Sequence, residues 1–202
     1  PVTVTWDAEH AEGGDLGTLE FFATGGVQPG GADVRVATAA GDLVPSDVLM
    51  VGPGDRVRVA FALQKNIKNY YVYWGNPSAP PSKLKLEYHR GLLMEMRVFP
   101  GGMVNRERQM LEAWGRATDV IGRAVVDRPF IGVNLLTDQQ QTISKFTGQI
   151  FATIDGDYQF AMAADDFGML MVDDKAIVFA RGAPADTRFN GSIHLTRGLH
   201  SF

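Results

Sequence analysis

Residues 146–178 read FTGQIFATIDGDYQFAMAADDFGMLMVDDKAIV, and the alternation within this stretch decides the fold. KFTGQIFAT, GDYQFAMAA, GMLMVD and KAIVFAR are short runs rich in aromatic and branched residues, cut by Gly and Asp, which is the pattern of β-strands and their turns. Tyr158 and Phe160 stand two apart in GDYQF, so both face the same way and are expected in the core. IDGDYQF predicts a hairpin, because Asp155 and Gly156 tolerate the positive φ angles of a tight turn. Asp173 and Asp174 in MVDDK predict a second turn of the same kind.

Working outward, SIHLTRG predicts a later strand and GLLMEMRVF an earlier one. Between them, NRERQMLEAWGRATDVIG is the most helix-like part of the chain. Met110, Leu111, Trp114 and Ala117 recur at helical spacing, but Gly115 interrupts, so one or two helical turns are expected. Towards the N-terminus, VTVTW, LEFFAT, VRVAT, RVRVAFAL and YYVYWG are separated by GG, PGG, AAGD and GPGD. Val57, Val59, Phe61 and Leu63 lie on one strand face, which is sandwich-like patterning. NPSAPPSKLKL is proline-rich and favours an extended connection. The expectation is an all-β chain: a β-sandwich over residues 1–76, a connection over 77–87, and a β-sandwich or barrel with one short helical segment over 88–202. No period of a solenoid or propeller repeats.

The 202 residues carry 23 glycines and 10 prolines spread along the chain, which favours short segments joined by turns. A net charge of −4 leaves no basic stripe for phosphates, so no nucleic-acid partner is expected. With no cysteine, neither disulfides nor thiolate metal sites can form. No apolar run approaches the roughly 20 residues that span a bilayer, so no membrane insertion is expected.

In order, Gly148, then Gly156, Tyr158 and Phe160, then Asp165 and Asp166, then Gly168, Leu170, Val172 and Asp173 match a spaced motif. By it, residues 88–202 resemble the lectin-like domain of anthrax protective antigen and the fungal flocculins. GLLMEMRVF is similar to that family's first strand, and SIHLTRGLH to its strand leading into a Gly-His turn. The resemblance implies closing strands beyond the last residue, hence a domain truncated at its C-terminal end. In the sugar-binding members, an Asp pair joined by a cis peptide holds calcium, which contacts sugar hydroxyls. The resemblance thus implies Asp165 and Asp166 as metal- and ligand-binding residues and calcium as cofactor. ADVRVATAAGDLVPSDV and YYVYWGNPSA, with Gly75, Asn76 and Pro77, more loosely resemble a bacterial surface-protein domain of unassigned function.

Read as residues alone, Asp165 and Asp166 are either two ligands of a hard cation, completed by other oxygens, or a solvated acidic turn. Trp114 and Tyr88 are weaker candidates for a binding platform. His10, His89, His194 and His200 match no metal-binding spacing. Nucleophile elbow and phosphate loop are both missing, GPGDR is only a turn, and adjacent carboxylates do not flank one substrate as a glycosidase needs. Asn190-Gly191-Ser192 matches a glycosylation acceptor and equally a turn.

The functional expectation is therefore a non-catalytic, calcium-dependent carbohydrate-binding or adhesion module, secreted or at a bacterial cell surface. Its partner would be a glycan or surface polysaccharide, with protein neighbours in an extracellular assembly. The alternatives are a structural module pairing by strand addition and an accessory region of a larger secreted enzyme.

Overall fold

The computed structural model describes residues 2–5, 16–88, 91–129, 136–137, 141–183 and 187–202. Strands make up 52% of it and helical residues 9%, so the chain is all-β as its alternation predicts. The chain divides into two compact units, Pro1–Gly91 with Ile121–Val125, and Leu92–Val120 with Val126–Phe202.

The first unit contains β1 (Val2–Thr5), β2 (Leu16–Phe22), β3 (Arg35–Thr38), β4 (Leu43–Val44), β5 (Ser46–Val51), β6 (Arg56–Ala62) and β7 (Asn69–Tyr73). They form two antiparallel sheets, in the orders β1-β7-β3-β4 and β2-β6-β5. Val57, Val59, Phe61 and Leu63 are all buried, as their period of two requires. Phe61 from one sheet meets Tyr70 from the other, with ring centroids 5.0 Å apart. The buried Tyr70 hydroxyl accepts the Gln64 N–H at 2.7 Å, so the ring enters the core without an orphaned oxygen. Gly17 stands opposite Phe61, and a Cβ there would lie 2.6 Å from the ring. Only glycine lets β2 come this close.

After β7 the chain has no regular structure from Trp74 to Tyr88. The Gly75-Asn76 turn is tied down by Asp33, which is 3% exposed. Its carboxylate accepts the Gln28 and Gly75 N–H groups, each at 2.7 Å. Burial would raise this carboxyl, but backbone N–H groups of Gln28, Gly75, Asp33 itself and Asn76 outweigh it and hold it below the usual range. Gln28 completes the tie by donating Nε2 to the Asn76 carbonyl at 2.8 Å.

The second unit begins with β8 (Leu92–Val98) and α1 (Glu107–Arg116); β9 (Val120–Val126) follows, its middle residues belonging to the first unit. Helix α1 has ten residues, longer than expected, and runs through Gly115. Gly115 costs about 1 kcal/mol against alanine. Side chains from outside the helix offset it: Arg97 of β8 donates to the Ala117 carbonyl at 2.8 Å and covers the Trp114 ring at 4.1 Å. A cation at the C-terminal carbonyls is where the helix dipole favours it. The packed face is Met110, Ala113, Trp114 and Ala117, whereas Leu111 is exposed.

β10 (Thr142–Thr147) pairs with β8. Then come β11 (Gln149–Ala152), β12 (Gly156–Met162), β13 (Asp166–Val172), β14 (Lys175–Ala183), β15 (Phe189–Leu195) and β16 (Gly198–Ser201). These six nest as antiparallel ribbons, β11 with β16, β12 with β15 and β13 with β14. This is the order made by folding one long hairpin over on itself. The expected hairpin at Asp155-Gly156 is therefore absent: β11 and β12 lie in different ribbons, and neither residue has positive φ. The segment is a corner instead, where Asp155 Oδ1 accepts the Arg197 N–H at 2.6 Å and the Tyr158 hydroxyl donates to the Ile154 carbonyl at 2.9 Å. The hairpin tip is the expected Asp173-Asp174 turn, with φ of 47° and 62°. It returns to the root, because Asp173 N–H donates to the Ser201 carbonyl at 3.0 Å.

Tyr158, Phe160, Leu170, Ile177 and Ile193 pack on Ala152, Val172 and Leu195 inside these ribbons. Among the described residues, no helix is long and apolar enough to cross a membrane.

Candidate functional site

Asp165 and Asp166 occupy the second corner of the folded hairpin, between β12 and β13. Phe167 N–H donates to the Asp165 carbonyl at 3.0 Å across Asp166, which has φ of 62°. This is a tight three-residue turn with a left-handed centre, a conformation that costs about 1–3 kcal/mol away from glycine. Asp165 Oδ1 accepts the Asp166 N–H at 3.1 Å. Both side chains are exposed, and the peptide between them is trans, not the cis bond that the resemblance implies. Among the described residues no set of three acidic or histidine side chains gathers to hold a metal. Two carboxylates supply at most about four of the six to eight oxygens calcium takes. The two side chains by themselves could not complete a calcium shell.

Sequence reasoning passed over the ribbon that leads to this corner. On β12–β15 the inward residues are Tyr158, Phe160, Ile193 and Leu195. The outward residues are Asp157, Gln159 and Ala161 on one strand and Asn190, Ser192 and His194 on the other. They pair rung by rung, Asp157 with His194, Gln159 with Ser192 and Ala161 with Asn190. Gln159, Arg188, Asn190, Gly191 and Ser192 line an open groove of about 620 Å3. Arg188 Nε donates to Asn190 Oδ1 at 3.0 Å, and His194 Nδ1 lies 2.9 Å from Asp157 Oδ1. Gly191 fixes how the groove sits: a Cβ there would lie 2.0 Å from the Ile177 carbonyl oxygen, so only glycine lets β15 lie against β14. Asn190-Gly191 is accordingly mid-strand and not a turn. Because β12 and β15 are antiparallel, Met162 pairs with Phe189, and the Asp165-Asp166 corner leaves the ribbon at the end where Arg188 enters it. The period-two polar pattern was the one available signal, and it is shared by any solvated strand face.

No family model, curated protein or solved structure matches this chain. The chemistry of the side chains has to carry the functional reading.

The other residues singled out from sequence have structural work. Trp114 lies beneath Arg97 within the α1 cluster, so a face of its ring is already covered. Tyr88 donates its hydroxyl to Asp47 Oδ2 at 2.8 Å, and Arg123 grips the same carboxylate at 2.9 and 3.0 Å. Burial first, and then Asp47, push the Tyr88 hydroxyl above the usual phenol range. A cleft of about 390 Å3 lies beside this cluster, with Arg35 and Lys85 in its wall. Arg35 is already committed to the Ala32, Val34 and Pro80 carbonyls, and Arg123 to Asp47.

His200, on β16, joins the hairpin tip to the root. Its side chain is 11% exposed, with Nδ1 2.6 Å from Asp173 Oδ2 and Nε2 2.7 Å from the Thr196 carbonyl. Both ring nitrogens face acceptors, so the imidazolium fits this position and the neutral ring does not. Asp173 first, and then the Thr196 carbonyl, raise the His200 titration, and His200 in turn lowers that of Asp173. His10 and His89 lie outside the described residues.

Proposed function

We propose that this chain is a non-catalytic carbohydrate-binding or adhesion module that works outside the cytoplasm. The observation that carries the reading is the β12–β15 groove, an open polar surface on rigid paired strands. Gln159, Asn190 and Ser192 offer amide and hydroxyl groups that can both donate and accept, which is what arrays of sugar hydroxyls require. An open groove suits a chain lying across it better than a small molecule, which normally needs a concave, largely apolar pocket. The spaced motif shared with the lectin-like family supports the same reading. So does the position of Asp165 and Asp166 at the groove's end. On this reading calcium is held at that corner, with water and ligand hydroxyls completing the oxygen shell.

A panel of immobilised glycans tests this directly. Each neutral hydrogen bond contributes about 1 kcal/mol, so Gln159→Ala with Asn190→Ala should weaken the best ligand about 30-fold while the fold persists. Binding that ignores this double variant sinks the groove as the site. Calcium should raise both affinity and melting temperature, and Asp165→Asn with Asp166→Asn should abolish that response. Affinity unchanged by chelator removes calcium from the proposal and leaves the groove.

A second reading has its own observation. Phe151 and Leu199 are cross-strand partners on the outer face of β11–β16, exposed by 58% and 62%, with Ile154 exposed nearby in sequence. Contiguous apolar surface on a ribbon supports a structural module of an extracellular assembly. Phe151→Ser should then abolish concentration-dependent association in sedimentation velocity; a chain monomeric at high concentration would count against it.

A further inference from the structure

Resting on the carbohydrate reading, we infer that the β12–β15 groove takes an acidic polysaccharide, with Arg188 reading the sugar carboxylate and Gln159 and Ser192 holding neighbouring hydroxyls. The groove lining is Gln159, Arg188, Asn190, Gly191 and Ser192, with no aromatic ring among them. Neutral glycans held on an exposed sheet draw much of their affinity from ring faces packed on aromatic side chains. That contribution is missing here, so hydrogen bonds and charge must supply the affinity. Among the described residues, the polar contact of Arg188 is Asn190 Oδ1, reached through Nε. This bond orients the guanidinium and leaves both terminal nitrogens for a ligand. A planar fork of that kind matches a carboxylate with two parallel hydrogen bonds, which are about twice as strong as neutral ones.

Asn190 thus positions Arg188 through its Oδ1, while its Nδ2 remains for a ligand hydroxyl. Ala161, opposite Asn190, adds no bulk to the rung. Outward rungs repeat every two residues, about 7 Å, so Asn190 to His194 spans about 14 Å, enough for more than one sugar ring. The chain's net charge of −4 does not forbid an anionic ligand. Charges beyond a Debye length of about 8 Å are largely screened at physiological salt, and among the residues that line the groove Arg188 is the one that carries charge. The same argument predicts that binding weakens as salt rises.

Polygalacturonate and its fully methyl-esterified form differ in charge and share their rings, so they separate the two levels of the proposal. By isothermal titration, the wild-type chain should prefer the free acid at least tenfold. Arg188→Gln should erase that preference, and Arg188→Lys should restore only part of it, since an ammonium cannot make the paired bonds. Gln159→Ala should weaken both polymers equally. Equal wild-type affinity for acid and ester, still lowered by Gln159→Ala, overturns the acidic ligand and leaves the carbohydrate reading standing. Failure to bind either polymer, with binding to a neutral glycan lowered by Gln159→Ala, also overturns it. If no glycan binds a chain whose thermal unfolding is intact, the carbohydrate reading itself falls. All these side chains are exposed, and circular dichroism with melting temperature verifies each variant's fold.

Discussion

In the first unit Phe61 and Tyr70 meet from opposite sheets, and a block of valines fills the space around them. In the second, the buried hydrophobic residues of the nested ribbons, among the described residues, are fewer and smaller: Ala152, Val172, Val178, Ala180 and Leu195. The first unit holds together through area removed from water, at roughly 25 cal/mol per Å2. The nested ribbons of the second add polar ties at their corners and tip: Asp155 to Arg197, Asp173 to Ser201 and His200 to Asp173. A fold tied at its corners can keep its outer strand faces polar and unpartnered. The candidate site lies on such a face.

The sharpest way to break this contrast is to open the first unit's core. Phe61→Ala removes a fully buried ring and should cost about 3–5 kcal/mol, read as a lowered urea midpoint. Peptide-resolved hydrogen exchange should place the loss in the first unit, with the nested ribbons of the second retaining their protection. Equal loss in both would mean that the two units unfold as one.

Asp33 is the exception within the first unit, a buried charge among apolar residues, and it sharpens the contrast. Asp33→Ala leaves the Gln28 and Gly75 N–H groups without their acceptor and should cost about 2–3 kcal/mol. The folded carboxyl titrates below its unfolded value of 3.8. Its contribution is therefore fully present above that pH and is lost as pH falls through the lower folded value. Acid titration of stability should show this loss in wild type and a flatter profile in Asp33→Asn.

The second unit should respond to pH from the opposite side. His200 titrates above its ordinary 6.5, so its contribution is complete below pH 6.5 and is lost as pH rises through the folded value. Asp173 is lowered and acts in the reverse sense, losing its contribution only as pH falls below 3.8. The tip should thus be tightest between roughly pH 4 and 6.5. Melting temperature of the second unit should drop from pH 6 to pH 8, and His200→Gln should flatten that slope. An unchanged slope would show that the latch does not stabilise the closure.

How much of this was legible in the sequence follows from the range of each interaction. Val57, Val59, Phe61 and Leu63 announce a buried strand face because alternation is local. Asp173-Asp174 announces a turn for the same reason. Helix α1 is longer than its sequence suggests because Gly115 is visible in sequence while the Arg97 cap arrives from β8. The Asp155-Gly156 segment looks like a hairpin in sequence because nothing local says that β11 pairs with β16. Asp165 and Asp166 were found as an acidic pair, but their strained trans corner depends on how the hairpin folds over. Gln159, Asn190 and Ser192 were unremarkable polar residues until β12 and β15 came together. A site assembled from two strands some thirty residues apart leaves no single motif to read.

The smallest expected effect concerns the tip itself and runs in the stabilising direction. Asp173 and Asp174 are the two central residues of a two-residue hairpin loop, Val172 pairing with Lys175, and both have positive φ. An L-residue with a Cβ in that left-handed region is strained by roughly 1 kcal/mol, and glycine is not. Asp173 compensates through His200 and Ser201. Asp174 has no such bond among the described contacts, so Asp174→Gly should stabilise the second unit by about 0.5–1 kcal/mol, less the entropy glycine adds to the unfolded chain. The same change at Asp173 should destabilise, because the relieved strain is outweighed by the broken latch. Opposite signs at adjacent positions of one turn, measured by urea unfolding, would show that the second unit's closure is held by the His200 contact and not by the turn. Equal signs would return the tip to an ordinary hairpin and leave the corners as its remaining polar ties.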